Sequence, residues 1–227
     1  MFRPHVSPVF ENRYDAGRQL AARLMEYKGQ SALVIAIPNG GMPLASEIAR
    51  AIDASLDVVV VRKLPLPLYP ESGFGAVADD GSIILNDDLV RREGVSQDQV
   101  DEQVAMVTLQ VRQRSLLYRK DRQLLTVRGR TAIIVDDGLA SGYTMLAAVE
   151  SVKRRRPREI VVAVPVASAV ALEKVKTVAS VVTLVEATGS RFTVADYYRH
   201  WHDVPDSDVS KALDSQRALP NLHRQFS

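Results

Sequence analysis

Five short apolar runs rich in β-branched residues, at 33–37, 58–61, 132–135, 160–164 and 181–185, constrain the fold of this chain more than any other feature. They are nearly continuous instead of alternating, which is the pattern of strands buried on both faces. Helical patterns at 42–52, 144–153 and 169–176 lie between several of them. Strands alternating with helices imply βαβ units, so the expected fold class is α/β: a mostly parallel twisted sheet flanked by helices.

Three further stretches read differently. Val100, Val104, Val107 and Val111 recur at helical spacing, with Leu116 and Leu117 after them and Ser96 placed as N-cap, so a long amphipathic helix is expected there. Asp79-Asp80-Gly81 between two apolar segments is a hairpin signal. Residues 63–73 hold Pro65, Pro67, Pro70 and Gly73, which predicts a loop of about a dozen residues, a length that is usually functional or mobile.

Composition then removes whole classes of function. Lys plus Arg total 29 against 27 Asp plus Glu, and a net charge of +2 is no electrostatic footprint for nucleic acid or an anionic membrane. With no Cys, disulfides, thiol nucleophiles and Cys-ligated metals are excluded. No apolar run approaches the ~18 residues of a spanning helix, and the start carries Arg3, Glu11, Arg13 and two prolines where a secretory signal would be apolar. The expected location is the cytoplasm. The basic run from Lys153 to Arg158 ends a helix, where cations offset the carbonyl dipole, and His200 and His202 lack the companions that zinc needs.

The chemistry concentrates in Ile133-Ile134-Val135-Asp136-Asp137-Gly138-Leu139-Ala140-Ser141-Gly142-Tyr143-Thr144. An apolar strand runs into paired carboxylates, then a loop of small residues, then a helix. Backbone N–H groups at a helix opening suit a phosphate, and Ser141 and Thr144 add hydroxyls. Carboxylates at a strand's carboxyl end lie where open α/β sheets bind ligands, and they suit sugar hydroxyls or hydrated Mg²⁺. Neither the P-loop nor the dinucleotide fingerprint is present. An acidic turn capping a helix is the alternative reading of the same residues.

This segment resembles the signature of the type I phosphoribosyltransferases. The resemblance implies that Asp136 and Asp137 hold the ribose hydroxyls of phosphoribosyl pyrophosphate and meet Mg²⁺ through water, and that Gly138, Leu139, Ala140, Ser141, Gly142, Tyr143 and Thr144 complete the sugar-phosphate site. Pro38, Asn39, Gly40 and Gly41, following the first buried run, fall where the family carries its pyrophosphate loop, which often contains a non-proline cis peptide. Arg62 and Lys63 resemble the pair that opens the catalytic loop of the adenine and orotate members, and so would act on departing pyrophosphate. With Gly73-Phe74-Gly75-Ala76-Val77 and Leu85-Asn86-Asp87, the chain resembles most closely the broad group of phosphoribosyltransferases without an assigned acceptor, from about residue 10 to 213.

What this resemblance implies is a single domain over 1–227, with an α/β core at about 10–186 and a small hood at about 187–213. The hood's Phe192, Tyr197 and Tyr198 would stack the acceptor. The implied reaction is phosphoribosyl transfer to a nitrogen acceptor, a nucleobase, with Mg²⁺ as cofactor and a homodimer as the assembly. Ala140 stands where hypoxanthine-guanine members place a further Asp, as in the adenine and orotate types, and Tyr143 departs from the usual Gly or Lys. A second class stays open: a non-catalytic sensor of phosphoribosyl pyrophosphate or nucleotide on the same fold.

Overall fold

The computed structural model describes residues 8–218, except 68, 70, 71, 121, 122, 190 and 191. Pro70 of the expected loop, and Arg3 with the rest of residues 1–7, lie outside them. The main sheet is parallel, with strands β1 (Ala32–Ala36), β2 (Ser55–Val58), β6 (Thr131–Val135), β7 (Glu159–Ser168) and β8 (Ser180–Ala187) in the order β2-β1-β6-β7-β8. Strands β3 (Val61–Pro65), β4 (Gly73–Ala78) and β5 (Ile83–Leu85) form a separate antiparallel sheet. The helices are α1 (Arg13–Arg23), α2 (Gly41–Ala51), α3 (Asp87–Arg92), α4 (Gln97–Arg119), α5 (Tyr143–Arg154), α6 (Ala169–Lys176) and α7 (Asp206–Ala218). Among the described residues no helix is long and apolar enough to cross a membrane.

The continuous apolar runs are continuous because both sheet faces are covered. Val34, Ala36, Ile133, Val135, Val161 and Ala163 share one core with residues of α1, α2 and α4. The alternate positions Leu33, Ile35, Ala132, Ile134, Val162 and Val164 share the other with residues of α5 and α6. Each fully buried Val, Leu or Ile contributes about 1.5–3 kcal/mol relative to exposure, so a polar side chain on either face is disfavoured. Helix α2 joins β1 to β2, while α5 and α6 carry the chain the other way across the sheet. Crossovers of one hand running in opposite directions place their helices on opposite faces. The reversal lies between β1 and β6, and that is where such sheets bind ligands.

Two expectations change. The apolar run 58–61 is not one strand: β2 ends at Val58, Val59 still donates to Ala36 O (3.0 Å), and Val60 O already accepts from Asp79 N of the hairpin (2.9 Å). The chain steps from one sheet to the other without leaving the interior, so hydrophobicity gives no sign of the break. The long loop at 63–73 is shorter than its prolines suggest. Strand β3 pairs through Pro65, where the register shifts, and Leu66 N donates to Ser72 O (3.0 Å). A proline has no ladder donor and is tolerated at such an irregularity. The Asp79-Asp80-Gly81 turn joins β4 to β5 as expected.

Helix α4 starts at Ser96, whose side chain and that of Gln99 form a reciprocal capping box. Val100, Val107 and Val111 are buried along it, and Tyr118, not Leu116 or Leu117, ends the buried face. Past β8 the chain returns to its beginning: Val9 N and Phe10 N both donate to Tyr197 O, and Arg199 N donates to Phe10 O. Tyr197, Tyr198, Val209 and Leu213 are buried in the same cluster as Phe10, Leu20 and Leu44.

Candidate active site

Asp136 and Asp137 leave β6 beside the loop that leaves β1, at the reversal of strand order. That loop contains the expected cis peptide, Pro38-Asn39. It is pressed onto the end of β6: Ile37 N donates to Val135 O (2.9 Å), a Cβ on Gly41 would lie 2.5 Å from Val135 O, and one on Gly40 would lie 2.1 Å from Asp137 Oδ2. The glycine pair is therefore required by close approach between two loops. The Gly41 N–H is spent on Ile37 O (3.0 Å), so it is not one of the groups offered to an anion.

The two acids differ in environment. Asp136 Oδ1 accepts from the Asp137 N–H (2.8 Å). Burial, then the neighbouring Asp137, push its carboxyl well above the usual carboxylate range. Burial also raises Asp137, but Arg13 opposes that shift: its Nε donates to Asp137 Oδ2 at 2.8 Å. Arg13 is itself held by His202 O, to which its Nη1 donates (2.6 Å), and by the Trp201 ring, 3.6 Å from its Cζ. Tyr198 OH donates to Asp137 O (2.6 Å). Among the described residues no group of three or more His, Asp or Glu could hold a metal. Two part-buried carboxylates, of which Asp137 raises the cost of charging Asp136, nonetheless fit hydrated Mg²⁺, which takes one or two carboxylates and completes its shell with water and substrate phosphate.

After the acids, Gly138 abuts Val194, whose methyls would lie 2.5–2.6 Å from an added Cβ. Leu139 bonds β7 in both directions, through Val166 O and Ser168 N (2.9 Å each). Ser168 Oγ donates to Ala140 O (2.7 Å), and Lys174 Nζ donates to Ser141 O (3.3 Å) and sits 4.0 Å from the Tyr143 ring centroid. Gly142 takes φ +87° at the N-cap of α5, with no side-chain cap bond. The loop is thus fastened by its carbonyls to α6 and its flank, while the α5 N-terminus with Thr144 faces a cleft of about 790 Å³. Lys63, Tyr69 and Arg92 line the other side of that cleft.

Because Arg62 and Lys63 are successive residues of strand β3, their side chains point to opposite faces. Lys63 lines the cleft beside Ala140, Ser141 and Thr144, whereas Arg62 acts electrostatically on Asp206, whose Oδ1 bonds Asn39. Tyr197 and Tyr198 are buried, 8% and 4% exposed, and Phe192 is half-buried with its ring 5.6 Å from that of Tyr197.

Sequence reasoning missed the groups that hold the loops in place. Arg13 lies on the buried stripe of α1 with Ala16, Gly17, Leu20 and Ala21, and a cation in line with such a stripe is the signal that marks it. Asn39 is held by the C-terminal segment: its Nδ2 donates to Val204 O (2.7 Å) and to Asp206 Oδ1 (2.8 Å). Its Oδ1 accepts from Arg114 Nη1 (3.3 Å) and lies 2.8 Å from Tyr118 OH, both on α4.

Comparison with known proteins agrees with this geometry. A family model described as the phosphoribosyl transferase domain matches residues 9–198. Two Mycobacterium tuberculosis proteins, from strains CDC 1551 and H37Rv and named provisionally as phosphoribosyl transferases, are 35% identical over 219 residues, 96% of this chain and 48% of theirs. The chain spans about half the length of these relatives. The crystal structure of TT1426 from Thermus thermophilus is 36% identical, with a TM-score of 0.75 over 91% of this chain and 98% of that one.

Proposed function

The chain belongs to the phosphoribosyl transferase family, and from that premise we propose that it transfers a phosphoribosyl group from phosphoribosyl pyrophosphate to a nitrogen acceptor, a nucleobase. A bond forms between the acceptor nitrogen and C1 of the ribose, the bond from C1 to the pyrophosphate oxygen breaks, and the acceptor nitrogen gives up its proton. The observation that carries this reading is the packing of the Pro38-Asn39-Gly40-Gly41 loop on Asp137 at the strand-order reversal. Two loops packed side by side at such a reversal support reading the acid pair as the sugar site and the glycine loop as the pyrophosphate site.

In this reading Asp136 and Asp137 accept hydrogen bonds from the two ribose hydroxyls and fix C1 for attack. The α5 N-terminus, Ser141 and Thr144 take the 5′-phosphate, and Lys63 faces it across the cleft. The loop at Pro38, Asn39, Gly40 and Gly41 takes pyrophosphate, with Arg62 on its side of β3. Hydrated Mg²⁺, held by Asp136 and Asp137 through water, would supply charge neutralisation to the leaving pyrophosphate. The transition state gains oxocarbenium character, so fixed dipoles and charges around it act without reorganising. The half-buried ring of Phe192, backed by Tyr197, offers the acceptor its stacking face, and Tyr198 supports Asp137 from below.

The test is pyrophosphate release from phosphoribosyl pyrophosphate and Mg²⁺ across a panel of nucleobases and amines. Release with one acceptor, abolished in Asp136→Asn and Asp137→Asn, is expected. Wild-type protein that binds no phosphoribosyl pyrophosphate would refute the reading.

A further inference from the structure

Beside the pyrophosphate loop a carboxylate sits in a ring of donors. Asp206 Oδ1, at the start of α7, accepts from Tyr118 OH (2.5 Å) and Asn39 Nδ2 (2.8 Å), with Arg114 Nη2 3.5 Å away. Tyr118 is the largest fully buried side chain among the described residues, yet its hydroxyl end reaches this cluster. Arg62 adds positive potential from β3. Hydrogen bonds from Tyr118 and Asn39 and the charges of Arg114 and Arg62 hold Asp206 below the usual carboxylate range, as such a donor set would hold any anion placed there. Elements far apart in sequence supply the donors: the β1 loop, β3, and α4, on which Arg114 and Tyr118 stand one helical turn apart and so share a face. A simple docking contact for α7 needs one hydrogen bond, not a convergence of this kind.

We infer that Arg114, Tyr118 and Asn39 form an anion subsite for the pyrophosphate moiety, and that the Asp206 carboxylate fills it as an internal competitor until the ligand arrives. The inference rests on the proposed phosphoribosyl transfer, because that reading places pyrophosphate at Asn39. It adds a binding group from α4 that no motif marks. It also gives the α7 start a role: a side chain 38% exposed offsets one of the two positive charges of the pocket while the site is empty. The occupant is a diphosphate, because a single carboxylate already satisfies Asn39 and Tyr118 and leaves the two guanidinium groups at longer range for the remaining oxygens.

Calorimetric titration of the full chain with inorganic pyrophosphate, with and without Mg²⁺, separates the possibilities. Arg114→Gln is expected to weaken binding at least about tenfold, the scale of one charged hydrogen bond. Asp206→Asn, which keeps an acceptor for Tyr118 and Asn39 but removes the charge, is expected to tighten it about two- to fivefold, the range for a part-exposed charge pair. Opposite signs are the signature, since a purely structural role would move melting temperature in both variants and pyrophosphate affinity in neither. Weaker binding in Asp206→Asn, or unchanged binding in Arg114→Gln, overturns the subsite while wild-type turnover leaves the parent reading standing. Wild-type protein that binds neither pyrophosphate nor phosphoribosyl pyrophosphate overturns both.

Discussion

Arg13→Met tests the electrostatics of the acid pair. The guanidinium is 10% exposed and its partner Asp137 is 16% exposed. Removing one member of a buried pair typically costs about 3–5 kcal/mol, because the other is left charged and unpaired. Asp137 keeps some contact with solvent and can take up a proton, which places the expected loss near the low end, about 3 kcal/mol. Met keeps much of the apolar stem, so the cavity left is that of the guanidinium that lay over Trp201. For a chain of this size that is a melting-point drop of roughly 6–12 °C at about 2–4 °C per kcal/mol. The loss must also depend on pH. Folding raises the Asp137 carboxyl, mainly by burial, so the native state holds a proton that the unfolded chain releases near pH ~3.9. Stability contributed by that bound proton is full below the unfolded pKa and falls as pH rises through the folded one. Arg13 draws Asp137 back down and shortens the interval; the variant lengthens it. The difference between wild type and variant is therefore smallest in acid and grows toward neutral pH. Urea denaturation of both proteins from about pH 4 to about pH 8, in buffer with a chelator, measures it. A difference that is absent, or constant across that range, would refute the argument.

Two further outcomes follow from the packing. Gly41→Ala is expected to lose about 1–3 kcal/mol and nearly all pyrophosphate binding, because its Cβ would meet the Val135 carbonyl at 2.5 Å; Gly129→Ala, at φ +72° in open space, costs about 1–2 kcal/mol in backbone strain but retains binding. Denaturation and titration on the same samples separate the two. Tyr198→Phe leaves Asp137 O without its 2.6 Å donor and is expected to cost about 1–2 kcal/mol, checked by the urea midpoint; an unchanged midpoint would show that water replaces the hydroxyl.

The sheet was legible because strands covered on both sides carry unbroken apolar runs, and the acid pair was legible because its strand, loop and helix are contiguous. Arg62 and Lys63 show the limit: adjacency in sequence suggested one joint task, and strand geometry sends them to different loops. The step from Val58 to Val61 was hidden since both of its ends are buried. The roles of Arg13, Arg114 and Asp206 were hidden for a different reason, even though the buried stripe of α1 singles out Arg13 itself. Their meaning lies in partners 124, 75 and 167 positions away, Asp137 for Arg13 and Asn39 for Arg114 and Asp206, and no local pattern reports a pairing of that range.

Those separations carry a consequence for how the protein is made. A chain emerging from the ribosome presents β1 and its glycine pair early, yet β1 waits for β6 to pair on its far side. Even then Asp136 and Asp137 adjoin an Arg13 that His202 and Trp201 have not yet clasped, and Asn39 lacks its acceptors at Val204 and Asp206. Contacts between distant positions must overcome loop-closure entropy before they stabilise anything. The loops at 38–41 and 136–144 therefore settle into place only once residues 198–206 have arrived, well after the strands that carry them.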